Sequence, residues 1–529
     1  MSIVSIKFLI FLICLVILYF LAPRRWQWVI LLCGNVFFYL SAGAKALLFI
    51  LFTSAAAWYT GLLLEKVNEK YKRIRETDCK SREEKQRNRE QCTKDKKKVM
   101  AVSLGINFGI WILLKYSGFV ISNLDALFAK AGLPVLLPVP RFILPLGISF
   151  YTFIAMGYCI DIYRGKYKAE KNVCRFVLFV SFFPHIIQGP FSRFDSLSPT
   201  LFEPHKFSFD RMCEGGLRIL WGMFKKLVVA DKLSLTVNMI YGDIETYNGM
   251  LIWVAIVLFV LEMYADFSGY MAIVAGVSRI LGIRLQENFK QPFFARSIEE
   301  FWRRWHITLG AWFRDYVFYP ISMSKRVQSL GRKCKKAVGA QTGRLIPSYI
   351  ALFFVWTATG LWHGADWTFL VWGLMNLTVI AVSMQLSGFY AGIRERLHIP
   401  DSAWWWKLFQ MARTFMIFSF MEMFSEADSI GKAFAMCRSM FTFEHWTYIK
   451  TPMLFFPSLE PLDVAVIAAG AALMLLVDVI REKGMGVFHT LGRIPCVLRY
   501  ACYGAVLYAI ILFGEMGAGM SGGFMYAQF

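Results

Sequence analysis

Zinc-ligand spacing and disulfide frameworks are both missing from this chain. Its eleven cysteines are scattered over 529 residues without a CxxC pair, so no metal staple or disulfide scaffold is expected. Most fall in apolar runs or in loops assigned below to the cytoplasm. Cys437 alone is assigned to the outer face, and it has no evident partner there. A secretory cleavage site is absent as well. Lys7 precedes a long apolar run to Leu21, and Pro23-Arg24-Arg25 and a second apolar run follow. Small residues would mark processing, so the first run is expected to stay as a span. Acidic residues are scarce, 36 against 58 Lys and Arg, giving a formal charge of +22. In a soluble protein such an excess points to nucleic acid. Here the cations lie between apolar runs, as cytoplasmic loops beside anionic headgroups do, so no nucleic-acid partner is expected. Internal repeats are lacking too.

What the chain has is hydrocarbon: 57% hydrophobic residues, 17% aromatic. Apolar runs near the 20 residues needed to cross a bilayer recur from end to end. Lipid offers backbone groups no partner but each other, which favours helices. The fold class expected is an all-α, multi-pass membrane domain covering 1–529. Candidate spans are 3–22, 27–41, 44–63, 100–121, 141–159, 213–235, 250–282, 346–362, 366–386, 405–424, 462–480 and 498–515. The Lys/Arg-rich insert 64–99 is assigned to the cytoplasm as a solvated helical pair or loop. Counting outward from it, the N-terminus lies outside. The 172–190 run, with Pro184-His185 and Gly189-Pro190, is read as re-entrant, because a full crossing would carry the basic region 296–344 outside. The spans 346–362 and 366–386 form a hairpin broken at His363-Gly364, where glycine's tolerance of unusual backbone angles is expected to matter. The tail 517–529 then falls outside.

Chemistry is sought where polar groups interrupt hydrocarbon. His363, in Gly360-Leu361-Trp362-His363-Gly364-Ala365, is one such group. It is either a general base that takes a proton from an attacking hydroxyl, or a hydrogen-bonded brace for the helix break. His306, in Phe301-Trp302-Arg303-Arg304-Trp305-His306, is an orienting partner or a structural residue. Around it Trp302, Trp305, Trp312, Phe313 and Tyr316 suit an interfacial helix with one wet edge per ring. Arg303, Arg304 and Arg314 are candidates for donor phosphates, against a reading as headgroup anchors. Asp266 and, one turn earlier, Glu262 are intramembrane carboxylates. Asp266 either holds a histidine in its working tautomer or pairs with an arginine. His185 and Ser268 complete the supporting cavity, with a polar plug in the re-entrant turn as the alternative role for His185. No metal ligands are assigned.

Together these segments resemble the membrane-bound O-acyltransferase family, in particular its branch with the membrane subunit of alginate O-acetylation. The resemblance runs through Ile143 to Phe153, Phe182 to Pro190, Asp266-Phe267-Ser268-Gly269-Tyr270, Asn288 to Pro320 and Gly360 to Trp367. It implies a ring of helices around a thinned centre with funnels from both faces. It implies acetyl-CoA as the cytosolic donor substrate, no bound cofactor and a bacterial cell membrane. It further implies an extracellular polysaccharide acceptor, reached through an extracellular SGNH-type acetyltransferase. His363 matches the family's catalytic histidine and His306 a second important position. The ending Phe524-Met525-Tyr526-Ala527-Gln528-Phe529 is similar to that of the partner peptide in teichoic-acid D-alanylation, which makes Tyr526 a candidate acyl relay. Three departures stand out: His185 where relatives often have glutamine, Ala527 where an aromatic is usual, and a longer 64–99 insert. Two alternatives follow: D-alanyl transfer from a carrier protein, and a polysaccharide or lipid transporter whose histidines line a path.

Overall fold

The computed structural model describes residues 1–77, 81–133, 138, 140, 142, 144–493 and 495–515. Among these residues the secondary structure is helical, with no strand. Seven helices among the described residues are long and apolar enough to cross a membrane. The chain divides into two compact units, Met1–Gly215 with Val277–Gln286, and Gly216–Gly276 with Glu287–Phe529.

The first unit holds α1 (Ile6–Leu21), α2 (Gln27–Leu40), α3 (Ala44–Thr77), α4 (Arg82–Lys130), α5 (Ile148–Tyr163), α6 (Val173–Ser181), α7 (Phe183–Ile186) and α8 (Phe194–Phe202). Ser5 caps α1 by accepting the Phe8 N–H at 3.2 Å. Ser81 and Glu84 form a capping box that starts α4. The charged insert makes the extended arms of α3 and α4, which run antiparallel. The Tyr71 hydroxyl donates to Asp95 at 2.6 Å and Thr60 to Ser103 at 3.0 Å. The 172–190 stretch, expected to be re-entrant, holds two short helices: nine residues of α6, then a single turn. At about 1.5 Å per residue α6 is far short of a hydrocarbon core about 30 Å thick. Gly147 packs against α7: its φ is +71°, and a Cβ there would lie 2.7 Å from the Ile186 carbonyl oxygen. Only glycine meets both demands.

The chain passes into the second unit within α9 (Phe209–Met223), and a π-helical turn at Phe224–Ala230, α10 (Asp231–Gly242) and α11 (Met250–Ile280), whose last four residues belong to the first unit, follow. Then come α12 (Ile298–Arg304), α13 (Ile307–Phe313), a second π-helical turn at Arg314–Phe318, α14 (Tyr319–Ser322) and α15 (Lys325–Val338). The long pair α16 (Ala340–His363) and α17 (Trp367–Gln385) follows, with α18 (Ser387–Arg396), α19 (Trp404–Glu426), α20 (Ile430–Ser439), α21 (Pro461–Glu482), α22 (Val487–Gly492) and α23 (Cys496–Phe513) completing the unit. Helix α16 ends at His363, and α17 is restarted by Asp366, whose side chain accepts the Thr368 N–H at 2.8 Å.

The expected reason for glycine at this break needs correction. Gly364 is extended, at φ −159° and ψ 151°, a conformation open to any residue. Space is what excludes a side chain, since a Cβ at 364 would sit 2.0 Å from the Phe369 ring. Two further glycines bring the helices together. A Cβ on Gly360 would lie 2.4 Å from the Phe369 carbonyl oxygen, and one on Gly373 2.4 Å from that of Trp356.

Candidate active site

His363 is 7% exposed. Three rings surround its imidazole: Trp362 and Trp372, each with its centroid 4.9 Å away, and Phe369 at 6.4 Å. His306 reaches the same place from another element. Its ring lies 6.1 Å from Trp362 and 4.9 Å from Phe267. The second unit thus brings His363 and His306 onto one indole.

The route of His306 to that position is unlike an interfacial helix. The backbone turns left-handed at His306, with φ 46° and ψ 48°, and divides the segment into α12 and α13. Asn288 holds this turn. Its side-chain oxygen accepts the Thr308 N–H at 3.0 Å and hydroxyl at 2.9 Å, and lies 3.4 Å from His306 Nδ1. Its carbonyl accepts the Ile307 N–H at 3.0 Å. The wet-edge expectation for the aromatics also needs correction, because Trp305, Trp312, Phe313 and Tyr316 are buried. Trp305 packs on Phe289, Phe301 and Phe418, with centroids 4.9 to 5.6 Å away. The break aims these rings into the protein. Burial pushes the His306 imidazole down to about 3, so the ring is neutral at cellular pH and offers one donor and one acceptor nitrogen.

Asp266 meets a lysine. Lys226 Nζ lies 2.6 Å from Asp266 and 2.8 Å from Asp231, and all three side chains are buried. Its neighbour Lys225 donates to the Ser268 hydroxyl at 2.9 Å. The Asp266-Phe267-Ser268-Gly269 motif therefore docks α11 on the first π-helical turn. Gly222 and Gly269 allow the close approach, with a Cβ on either falling within 2.9 Å of the other's carbonyl oxygen. Glu262 is buried on α11 as well. Lys225 and Lys226 are not among the site residues expected from the sequence. Two adjacent lysines inside an apolar run were the available signal, since buried cations in such runs are paired.

The three arginines proposed for phosphates have carboxylate partners. Arg304 grips Glu482 through both terminal nitrogens, at 2.7 and 3.1 Å, and meets Glu300 at 2.8 Å. Arg303 pairs with Glu299 at 3.1 Å and Arg314 with Asp315 at 2.9 Å, both at exposed positions. His185 lies in the first unit, fully buried, with Nε2 3.3 Å from the Val180 carbonyl and the Phe182 ring at 5.7 Å. This suits a polar plug in its turn. Tyr526 and the tail 516–529 lie outside the described residues.

An all-helical membrane chain with two histidines brought to one buried indole fits acyl transfer, and sequence comparison agrees. The description of the membrane-bound O-acyltransferase family matches residues 168–332, which include His306. The probable alginate O-acetylase of Pseudomonas syringae pv. tomato is 30% identical over 387 residues, 72% of this chain and 69% of that protein. The chain belongs to the membrane-bound O-acyltransferase family and is a multi-pass membrane O-acyltransferase. It is also similar to the peptidoglycan O-acetyltransferase of Helicobacter pylori, 27% identical over 54% of each chain. The teichoic acid D-alanyltransferase of Bacillus subtilis is 28% identical over 55% of this chain and 72% of that protein.

Proposed function

We propose that this enzyme moves an acetyl group from cytosolic acetyl-CoA across the membrane for O-acetylation of an extracellular polysaccharide. The observation that carries the reading is the meeting of His363 and His306 at Trp362, at the break between two long apolar helices. His363 is the general base and neutral His306 its companion. The phenol of Tyr526 attacks the thioester carbonyl while His363 takes the phenolic proton. The C–O bond forms, the C–S bond breaks, and the imidazolium returns its proton to the departing thiolate. The acetyl ester on Tyr526 then passes to a polysaccharide hydroxyl in a secreted SGNH-type transferase, which regenerates the phenol. The phosphates of the donor are taken from the cytosolic side by the exposed Arg303 and Arg314, with Arg304 as part of that surface.

Radiolabelled acetyl-CoA given to vesicles containing the full chain tests this. The wild type is expected to acquire label, Tyr526→Phe to lose the protein-bound label, and His363→Ala to lose acyl transfer at normal protein level. Undiminished transfer by well-folded His363→Ala would remove the central assignment, and undiminished polymer acetylation by Tyr526→Phe would remove the relay. The likeness to the Bacillus subtilis D-alanyltransferase supports a second reading, D-alanine delivered by a carrier protein. Under that reading acetyl-CoA leaves no label and a charged D-alanyl carrier does.

A further inference from the structure

A base that takes a proton while buried needs its ring held still, because a small misplacement of reacting groups is costly in rate. Of the rings around His363, Trp372 is itself anchored. Its indole N–H donates to Glu422 Oε1 at 2.9 Å, and the Ser425 hydroxyl lies 2.7 Å from the Glu422 carbonyl oxygen and 3.0 Å from Oε2. Glu422, on α19, is 3% exposed, and Trp372, on α17, is 2% exposed. A second indole backs the first. Trp302 packs on Trp372 at 5.8 Å and donates its own N–H to Asn376 at 2.9 Å. Asn376 in turn donates to the Trp372 carbonyl at 3.0 Å. Any carbonyl would satisfy an indole N–H, whereas a carboxyl group buried among apolar side chains is costly and calls for a reason.

We propose that Glu422 is a positioning residue for His363, acting through Trp372. The carboxyl group fixes the indole on α17, and the indole fixes the imidazole at the end of α16. Three helices thereby set the orientation of one ring. The role rests on His363 being the base, as proposed above.

Steady-state consumption of radiolabelled acetyl-CoA by the full chain in vesicles tests the coupling. Glu422→Leu and Trp372→Phe are each expected to lower kcat about tenfold, with KM for acetyl-CoA within about twofold of wild type. The double variant is expected to be no slower than either single, as for residues acting in series. Glu422→Gln keeps an oxygen for the indole N–H and is expected to recover at least half of the wild-type kcat. A second readout is independent of the donor. Diethylpyrocarbonate modification of His363, followed by mass spectrometry, is expected to accelerate in Glu422→Leu and Trp372→Phe but not in Glu422→Gln. Normal kcat and normal labelling in folded Glu422→Leu would overturn the proposal, as would losses that multiply in the double variant or a change confined to KM. Should Glu422→Leu fail to accumulate, Trp372→Phe alone carries the test, and unchanged kcat and labelling in it count against the link. His363→Ala separates the two readings. If it stays active, the proposed base is wrong. If it is inactive while Glu422→Leu and Trp372→Phe behave as wild type, only the positioning role fails.

Discussion

His306 occupies a left-handed backbone conformation that few residues other than glycine adopt willingly. Asn288 offsets that cost by accepting the two Thr308 donors just beyond the turn. Replacing Asn288 with Ala leaves both donors buried without their acceptor, at a cost of about 1–3 kcal/mol. The expected outcome is a lower melting temperature in detergent together with slower acyl transfer, while Asn288→Asp, which keeps the oxygen, retains most of both. An unchanged melting temperature in Asn288→Ala would argue that the turn holds without it. The histidines themselves were legible because a polar ring in an apolar stretch stands out in one dimension. Asn288 and Glu422 are not, because each acquires its meaning from a neighbour distant along the chain. Glu422 and Trp372, for example, are separated by 50 positions.

At the scale of elements, the hairpin of α16 and α17 presents His363 by ending one helix on a ring cluster and starting the next from Asp366. The break was visible as Trp-His-Gly-Ala-Asp between two apolar runs. Its physical cause was not, since Gly364 serves the approach of Phe369 and not an unusual backbone angle. The same closeness makes Gly373 a sensitive point. A methyl group there meets the Trp356 carbonyl at 2.4 Å, and such overpacking costs about 1–3 kcal/mol. Gly373→Ala is expected to lower thermal stability and to spread α16 from α17. A spin-label distance between positions 353 and 378, both exposed, checks it, and an unchanged distance with unchanged melting would show that the contact relaxes freely. The short helices α12 and α13 teach the converse lesson. Their aromatic and cationic composition reads as an interfacial helix, but the turn at His306 folds their rings inward.

At the scale of the whole molecule, the charge bias leads us to expect the 64–99 insert in the cytoplasm and the 517–529 tail outside. In a cysteine-free background, a cysteine at Lys85 is expected to react with a membrane-impermeant maleimide only after lysis, and one at Ser521 in intact cells. Labelling of both in intact cells, or of neither, would break the parity on which the Tyr526 relay depends. Among the described residues, seven of the twelve expected spans coincide with helices long and apolar enough to cross, while 3–22 and 141–159 fall on shorter apolar helices and 27–41, 213–235 and 405–424 on none of the seven. Within the 172–190 stretch the chain divides at Phe182 into α6 and α7.

By itself the sequence determined the medium, the helical class, the family likeness and the two histidines. Hydropathy, charge and motif order are properties of residues taken singly or in short runs. Only the tertiary structure decided that Asp266 meets Lys226, that Arg304 grips Glu482, that the rings around His306 face inward, and that Glu422 stands behind the indole beside His363. Hydrogen bonds and ion pairs act over a few ångströms, so partners far apart along the chain cannot find each other until folding brings their helices together.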